Sequence, residues 1–163
     1  MTYAGPTLLT SEHSLEGFDC GEPALNDWFT RRALGNQASG TSRTWVVTDE
    51  PAGMVVAYYA SSTASVMRAA APRRIARDQP TELPAILLGR LAVDSRHQGK
   101  GFAGAMLKHF TTKAIEVSEN VGVRLLLVHA KNDHAKAFYQ HFGFIESPVD
   151  ALTLMMLLPA NRP

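Results

Sequence analysis

An apolar run at Ala85–Val93 stops at a loop bearing Gly99-Lys100-Gly101. That loop leads straight into Phe102–Asn120, where Ala103, Met106, Leu107, Phe110, Ala114 and Val117 fall at helical spacing, and a second apolar run, Val123–Ala130, follows. Two near-continuous apolar strands joined by one amphipathic helix make a β-α-β unit. Strands that lack polar alternation are buried on both faces, and a crossover of this length returns the chain parallel to its start. The middle of the chain thus predicts a parallel strand pair inside a covered sheet.

The flanking sequence supplies the remaining layers. Thr7–Thr10 reads as a short strand, and Glu22–Leu34 as a helix with Leu25, Trp28, Phe29 and Ala33 on one face, ended by Gly35. A loop at Gly35–Ser42 precedes two strands, Thr44–Thr48 and Met54–Ala60, joined as a hairpin by the turn Asp49–Gly53. Met67–Pro84 holds three prolines and four arginines without periodicity and predicts an exposed connection. After the β-α-β unit, Asp133–Phe142 places Ala135, Phe138, Tyr139 and Phe142 on a helical face closed by Gly143, with Asn132 or Asp133 able to cap its start. Leu152–Leu158 is a final apolar strand. At 163 residues and 45% apolar content, the expectation is one α+β domain spanning 1–163, with a mixed central sheet flanked by helices on both faces.

Composition excludes more than it assigns. No apolar run approaches the roughly 20 residues of a membrane helix, and Met1–Thr10 lacks the order of a signal peptide, so a soluble, cytoplasmic protein without a membrane partner is expected. The single cysteine, Cys20, cannot form an internal disulfide. The six histidines, His13, His97, His109, His129, His134 and His141, show no zinc spacing, and no metal is expected. A serine-hydrolase elbow is missing as well.

Chemistry accumulates in the loop Gln98-Gly99-Lys100-Gly101 and the helix start Phe102-Ala103-Gly104. A helix N-terminus offers unpaired N–H groups and partial positive charge, and glycines let the backbone approach phosphate oxygens closely. With Arg96 and Lys100 alongside, a diphosphate is the natural ligand. A Walker loop is excluded because no Gly-Lys-Ser/Thr has the required spacing, and a dinucleotide fingerprint fits poorly.

Arg96-x-x-Gly99-x-Gly101 after the Leu91-Ala92-Val93 strand resembles the acetyl-CoA motif of the GNAT acetyltransferase superfamily. The later Asn132-x-x-Ala135-x-x-Phe138-Tyr139-x-x-x-Gly143-Phe144 resembles its second signature. The resemblance implies acetyl-CoA as co-substrate. Its pantetheine arm would pair with the backbone of Leu91 and Val93, its pyrophosphate would rest on N–H groups from Gln98 to Gly104, and Asn132 would stand near the cofactor arm. Gly89 would sit at the bulge that splays two parallel strands. Acetyl transfer needs a proton source for the leaving thiolate, and by this resemblance Tyr139 would be that acid. No carboxylate stands out as a general base, and an α-amino acceptor, with a pKa near 8, is partly neutral without one.

The N-terminal half narrows the family. Phe18-x-Cys20-Gly21, Leu25-x-x-Trp28-Phe29, Ser42-Arg43-Thr44, Val55-Val56-x-Tyr58-Tyr59 and Leu88-Gly89-Arg90 are similar to the acetyltransferase toxins of type II toxin–antitoxin modules, the TacT/AtaT group. Ala57 and Ser61 depart from that group's pattern. The likeness implies acetylation of the α-amino group of aminoacyl-tRNA and arrest of translation, neutralised by a ribbon-helix-helix antitoxin, and it admits a homodimer. Arg68, Arg73, Arg74 and Arg77, set against Asp78 and Glu82, would suit tRNA phosphates; Arg43 and Arg90 read either as substrate contacts or as strand-edge ion pairs.

Overall fold

The computed structural model describes residues Thr2–Pro159. Its elements are β1 (Thr2–Leu8), α1 (Pro23–Ser39), β2 (Arg43–Glu50), β3 (Val55–Met67), α2 (Arg73–Ala76), β4 (Glu82–Val93), α3 (Phe102–Ser118), β5 (Leu125–His129), α4 (Asp133–His141), β6 (Ile145–Glu146) and β7 (Thr153–Leu157). The strands run in the order β1-β2-β3-β4-β5-β7-β6, a mixed seven-stranded sheet, and the fold is α+β. The chain divides into two compact units, one of residues up to Ser62 with Gly89–Phe110, the other of Thr63–Leu88 with the chain from Thr111 onward.

In the first unit β1 pairs antiparallel with β2, and β2 antiparallel with β3. Alternation along β3 sends Tyr58 and Tyr59 to opposite faces. Tyr58 joins Leu9, Phe18, Phe29, Ala33, Val46, Val55 and Ala92 in a core under α1, stacking on Phe29 at 4.2 Å and 4°. Tyr59 turns to α3, where Phe110 meets it edge-on at 5.8 Å. Helix α1 overruns its expected end: Gly35 is exposed in mid-helix, and the chain turns out only at Gly40, whose left-handed φ of 81° lets its N–H bond the carbonyls of Asn36 and Gln37. The expected loop at Gly35–Ser42 is therefore mostly helix. Strand β1 starts at Thr2 rather than Thr7, with Gly5 and Pro6 taken up by a bulge between Ala4 and Thr7.

In the second unit β4 and β5 are parallel, from Ala85 opposite Leu125 to Leu88 opposite Val128, as the apolar runs require. Strand β7 lies antiparallel to β5 and carries the two-residue β6, which the sequence does not signal, on its other side. The expected connection at Met67–Pro84 is more structured than its prolines suggest. Strand β3 continues to Met67, a 3-10 turn spans Arg68–Ala70, Pro72 precedes α2, and β4 begins at Glu82. The reason is apolar: Ala71, Ile75 and Leu83 are buried with Val66, Ala85, Leu125, Leu127 and Met155 in one cluster. Outside this cluster α4 packs beside β7.

Candidate active site

The glycine loop is built on a buried carboxylate. Asp94, directly after β4, is 1% exposed and accepts hydrogen bonds from the backbone N–H of Asp19 (3.1 Å), from the N–H and Nε of Arg96 (both 2.9 Å) and from its Nη2 (3.1 Å). Burial alone would raise this carboxyl, but the bonds from Arg96 and the two backbone donors outweigh it and hold the pKa at about 2. Arg96, a motif residue, thus spends its guanidinium on Asp94 and shapes the loop. Gln98, itself exposed, reaches back to the strand, donating from Nε2 to the Val93 carbonyl at 3.0 Å. Its side chain splints strand to loop and leaves its backbone for any ligand.

Gly99 and Gly101 adopt φ of 78° and 86°, and no heavy atom lies within 4 Å of where a Cβ would stand on either. Left-handed backbone facing open space, at the start of a 17-residue helix, is the form a phosphate cradle takes. Phe102, Ala103 and Gly104 open α3, and Leu91 and Val93, both half-buried, end β4. Lys100 reaches back to Tyr3, whose hydroxyl lies 3.2 Å from Nζ and 3.0 Å from Nδ1 of the buried His97 and whose ring meets Phe102 edge-on at 4.7 Å. Tyr3 is a support of the cradle that carries no signal in the sequence, since it acts only once β1 is paired.

Beside α1 the guanidinium of Arg90 lies 4.2 Å above the Trp28 ring, and Trp28 stacks on Tyr58. The strand-edge ion pair considered for Arg90 is thus replaced by a cation–π contact. Arg43, exposed, donates to the Gln37 carbonyl at 2.9 Å and closes the end of α1.

The second unit holds the remaining residues. Asn132 caps α4, its Oδ1 accepting from the Ala135 N–H at 2.9 Å. Tyr139 sits two turns further on, 8% exposed, edge-on to Phe138 and Phe144. Among the described residues its hydroxyl has no hydrogen-bond partner. The two other buried tyrosines differ: Tyr58 donates to the Leu25 carbonyl at 2.8 Å and Tyr59 bonds His109 Nδ1 at 2.6 Å. Burial pushes the Tyr139 pKa up to about 12, so the phenol keeps its proton at neutral pH. Around α2 an open depression of about 380 Å³ is lined by Arg68, Arg73 and Arg77 with Met67, Ala69, Ala76 and Thr81. Arg74, one residue away, is exposed outside that lining. No helix among the described residues is long and apolar enough to cross a membrane.

Known proteins resemble this chain along most of its length. The acetyltransferase (GNAT) domain family matches residues 40–146. A tRNA-acetylating toxin of Mycobacterium tuberculosis (strain ATCC 25618 / H37Rv) is 40% identical over 160 residues, covering 98% of this chain and 95% of that protein. The structure of AtaT complexed with acetyl-methionyl-tRNAfMet superposes with a TM-score of 0.87 at 30% identity, over 96% of this chain and 94% of the other. A tyrosine-to-phenylalanine mutant of the AtaT toxin, bound to the C-terminus of the antitoxin AtaR and acetyl-CoA, gives a TM-score of 0.79 at 26% identity, over 96% and 92%. The cradle and Tyr139 both fall inside the stretch that the family matches, and the chain belongs to the GNAT acetyltransferases.

Proposed function

We propose that this protein transfers the acetyl group of acetyl-CoA to the α-amino group of an aminoacyl-tRNA and so halts translation, as a toxin held in check by an antitoxin. The observation that carries the chemistry is Tyr139, a buried, protonated phenol with no internal partner. Its ring is buried while its hydroxyl is bonded by no protein group among the described residues, which leaves the O–H open to a ligand. As the amine attacks the thioester and the C–S bond breaks, Tyr139 donates its hydrogen to the departing sulfur, where negative charge develops. The N–H groups from Gln98 to Gly104 hold the pyrophosphate. Leu91 and Val93 offer backbone groups to the pantetheine arm, which Asn132 adjoins at the start of α4.

The acceptor follows from the relatives, one named for acetylating tRNA and another solved with an acetylated methionyl-tRNA. Arg68, Arg73 and Arg77 around their depression, with Arg74 beside it, provide a phosphate-binding face, and Arg43 and Arg90 would be further contacts to the substrate. Three passages of chain between the two compact units favour a single catalytic domain. A ribbon-helix-helix antitoxin, a homodimer and a cytoplasmic site of action complete the proposal.

Labelled acetyl-CoA with charged and uncharged tRNA tests it directly. Wild-type protein should label charged tRNA only, and Tyr139→Phe should bind acetyl-CoA normally yet transfer at least about a hundredfold more slowly. Full activity of the variant would make Tyr139 structural. Labelling of peptide N-termini or small amines with every aminoacyl-tRNA untouched would remove the toxin reading and leave an acetyltransferase of another acceptor.

A further inference from the structure

Attack by an amine on a thioester leaves a proton to be removed from nitrogen, and the acid Tyr139 does not supply that step. We infer that His129 is the general base of the acetyl transfer, aimed by a relay through Thr153 to Asp150; the inference rests on the acetyltransferase reading above.

The relay is explicit in the hydrogen bonds. His129 and Thr153 stand opposite each other on antiparallel β5 and β7, and the imidazole Nδ1 lies 3.0 Å from Thr153 Oγ1. Thr153 Oγ1 in turn lies 2.9 Å from Asp150 Oδ2. Hydrogen bonds from the Leu152 N–H and from Thr153 hold the Asp150 carboxyl below its usual range, so it is an ionised acceptor. A hydroxyl has one proton, and Thr153 gives it to Asp150. Its oxygen must then accept, which fixes the hydrogen of the neutral imidazole on Nδ1 and leaves the Nε2 lone pair as the free proton acceptor. Nε2 has no hydrogen-bond partner among the described residues, and His129 is exposed whereas Thr153 is buried.

Position supports the role. The parallel pairing of β4 with β5 reaches Leu88 opposite Val128, and His129 is the next residue of β5. Ligands of parallel sheets bind beyond the carboxyl ends of the strands, where pairing stops. Alternation puts His129 on the face of Leu125 and Leu127, and Ile75 of α2 is buried against that same face. The basic depression beside α2 and the imidazole are therefore presented by one side of this unit.

The step balances as follows. The amine nitrogen bonds to the carbonyl carbon and gives its extra proton to Nε2; the C–S bond breaks, its electron pair leaves with sulfur, sulfur takes the phenol proton of Tyr139, and the phenolate regains a proton from water. The imidazolium returns its proton to water.

Steady-state kinetics with acetyl-CoA and aminoacyl-tRNA test this. His129→Gln should lower kcat by about a hundredfold, at the low end of general-base effects, with the KM for acetyl-CoA unchanged. Imidazole added to His129→Ala should restore part of the loss. Thr153→Val, which breaks the relay, should lower kcat, and Thr153→Ser, which keeps the hydroxyl, should return it to wild type. A His129→Gln enzyme turning over at the wild-type rate overturns the inference while the acetyltransferase reading stands. Wild-type protein inactive on every aminoacyl-tRNA overturns the reading beneath it.

Discussion

Replacing Asp94 by asparagine asks what holds the cradle in shape. The carboxylate is buried and receives four hydrogen bonds, three of them from Arg96. An amide of the same size offers one accepting oxygen and a donating NH2, so at least one donor of Arg96 or Asp19 would face another donor. A carboxyl held from 3.8 down to about 2 contributes about 2 kcal/mol to folding at neutral pH. An unsatisfied buried donor adds about 1 kcal/mol, so Asp94→Asn should cost about 3 kcal/mol at pH 7. The sign of the pH dependence is fixed by the lowered value: the carboxylate's contribution is complete above its unfolded pKa and disappears as pH falls toward about 2. Urea unfolding followed by circular dichroism at pH 7, 5 and 3 should show the gap between wild type and variant at full size at pH 7 and narrowing below pH 5. A gap that is unchanged at pH 3 would mean that the charge is irrelevant and only shape is lost. No gap at any pH would refute the buried network as a stabilising element.

Gly101→Asp introduces a side chain at a φ of 86° and a negative charge into the cradle, and calorimetry should show acetyl-CoA binding abolished in a folded protein; unchanged affinity would remove the phosphate assignment. Arg73 lines the depression beside α2 and Arg74 does not, so Arg73→Glu should weaken tRNA binding and lower its salt slope by about one unit while Arg74→Glu does less; equal effects would remove the depression as the centre of the contact, and no effect from either would make the arginines a merely solvated face.

The parts of this molecule that are readable from sequence are those whose physics is local. The parallel pair β4 and β5, the helix between them and the glycine cradle lie in one uninterrupted stretch. Each is announced by its own residues: unbroken apolar runs, a helical apolar face, glycines at the junction. Elements that exist because of distant partners are not announced. Gly5-Pro6 reads as a break, and only the pairing of Thr2 with Glu50 makes β1 begin where it does; Tyr3, bonded to His97 and Lys100, is invisible for the same reason. Gly35 reads as a helix stop because an interior glycine costs about 1 kcal/mol relative to alanine. Two residues later Gln37 offsets that cost by bonding the Leu9 carbonyl at 2.6 Å and the Thr44 N–H at 2.9 Å, contacts that no helical spacing encodes.

The general base follows the same rule. Among six histidines, no spacing marks His129, because the group that gives it a defined tautomer is 24 residues away in sequence and becomes its neighbour only through the register of β5 with β7. A one-residue slip of that register would send Thr153 to the opposite face, away from the imidazole. The register itself is set by Leu125, Leu127, Met155 and Leu157, which must all face one core. Apolar packing at one end of these two strands thus fixes the direction of a proton acceptor at the other. A substitution such as Leu127→Ala should therefore lower kcat beyond what its stability loss explains, and it should do so only while His129 is present, so that the same change made in His129→Gln leaves the residual rate untouched.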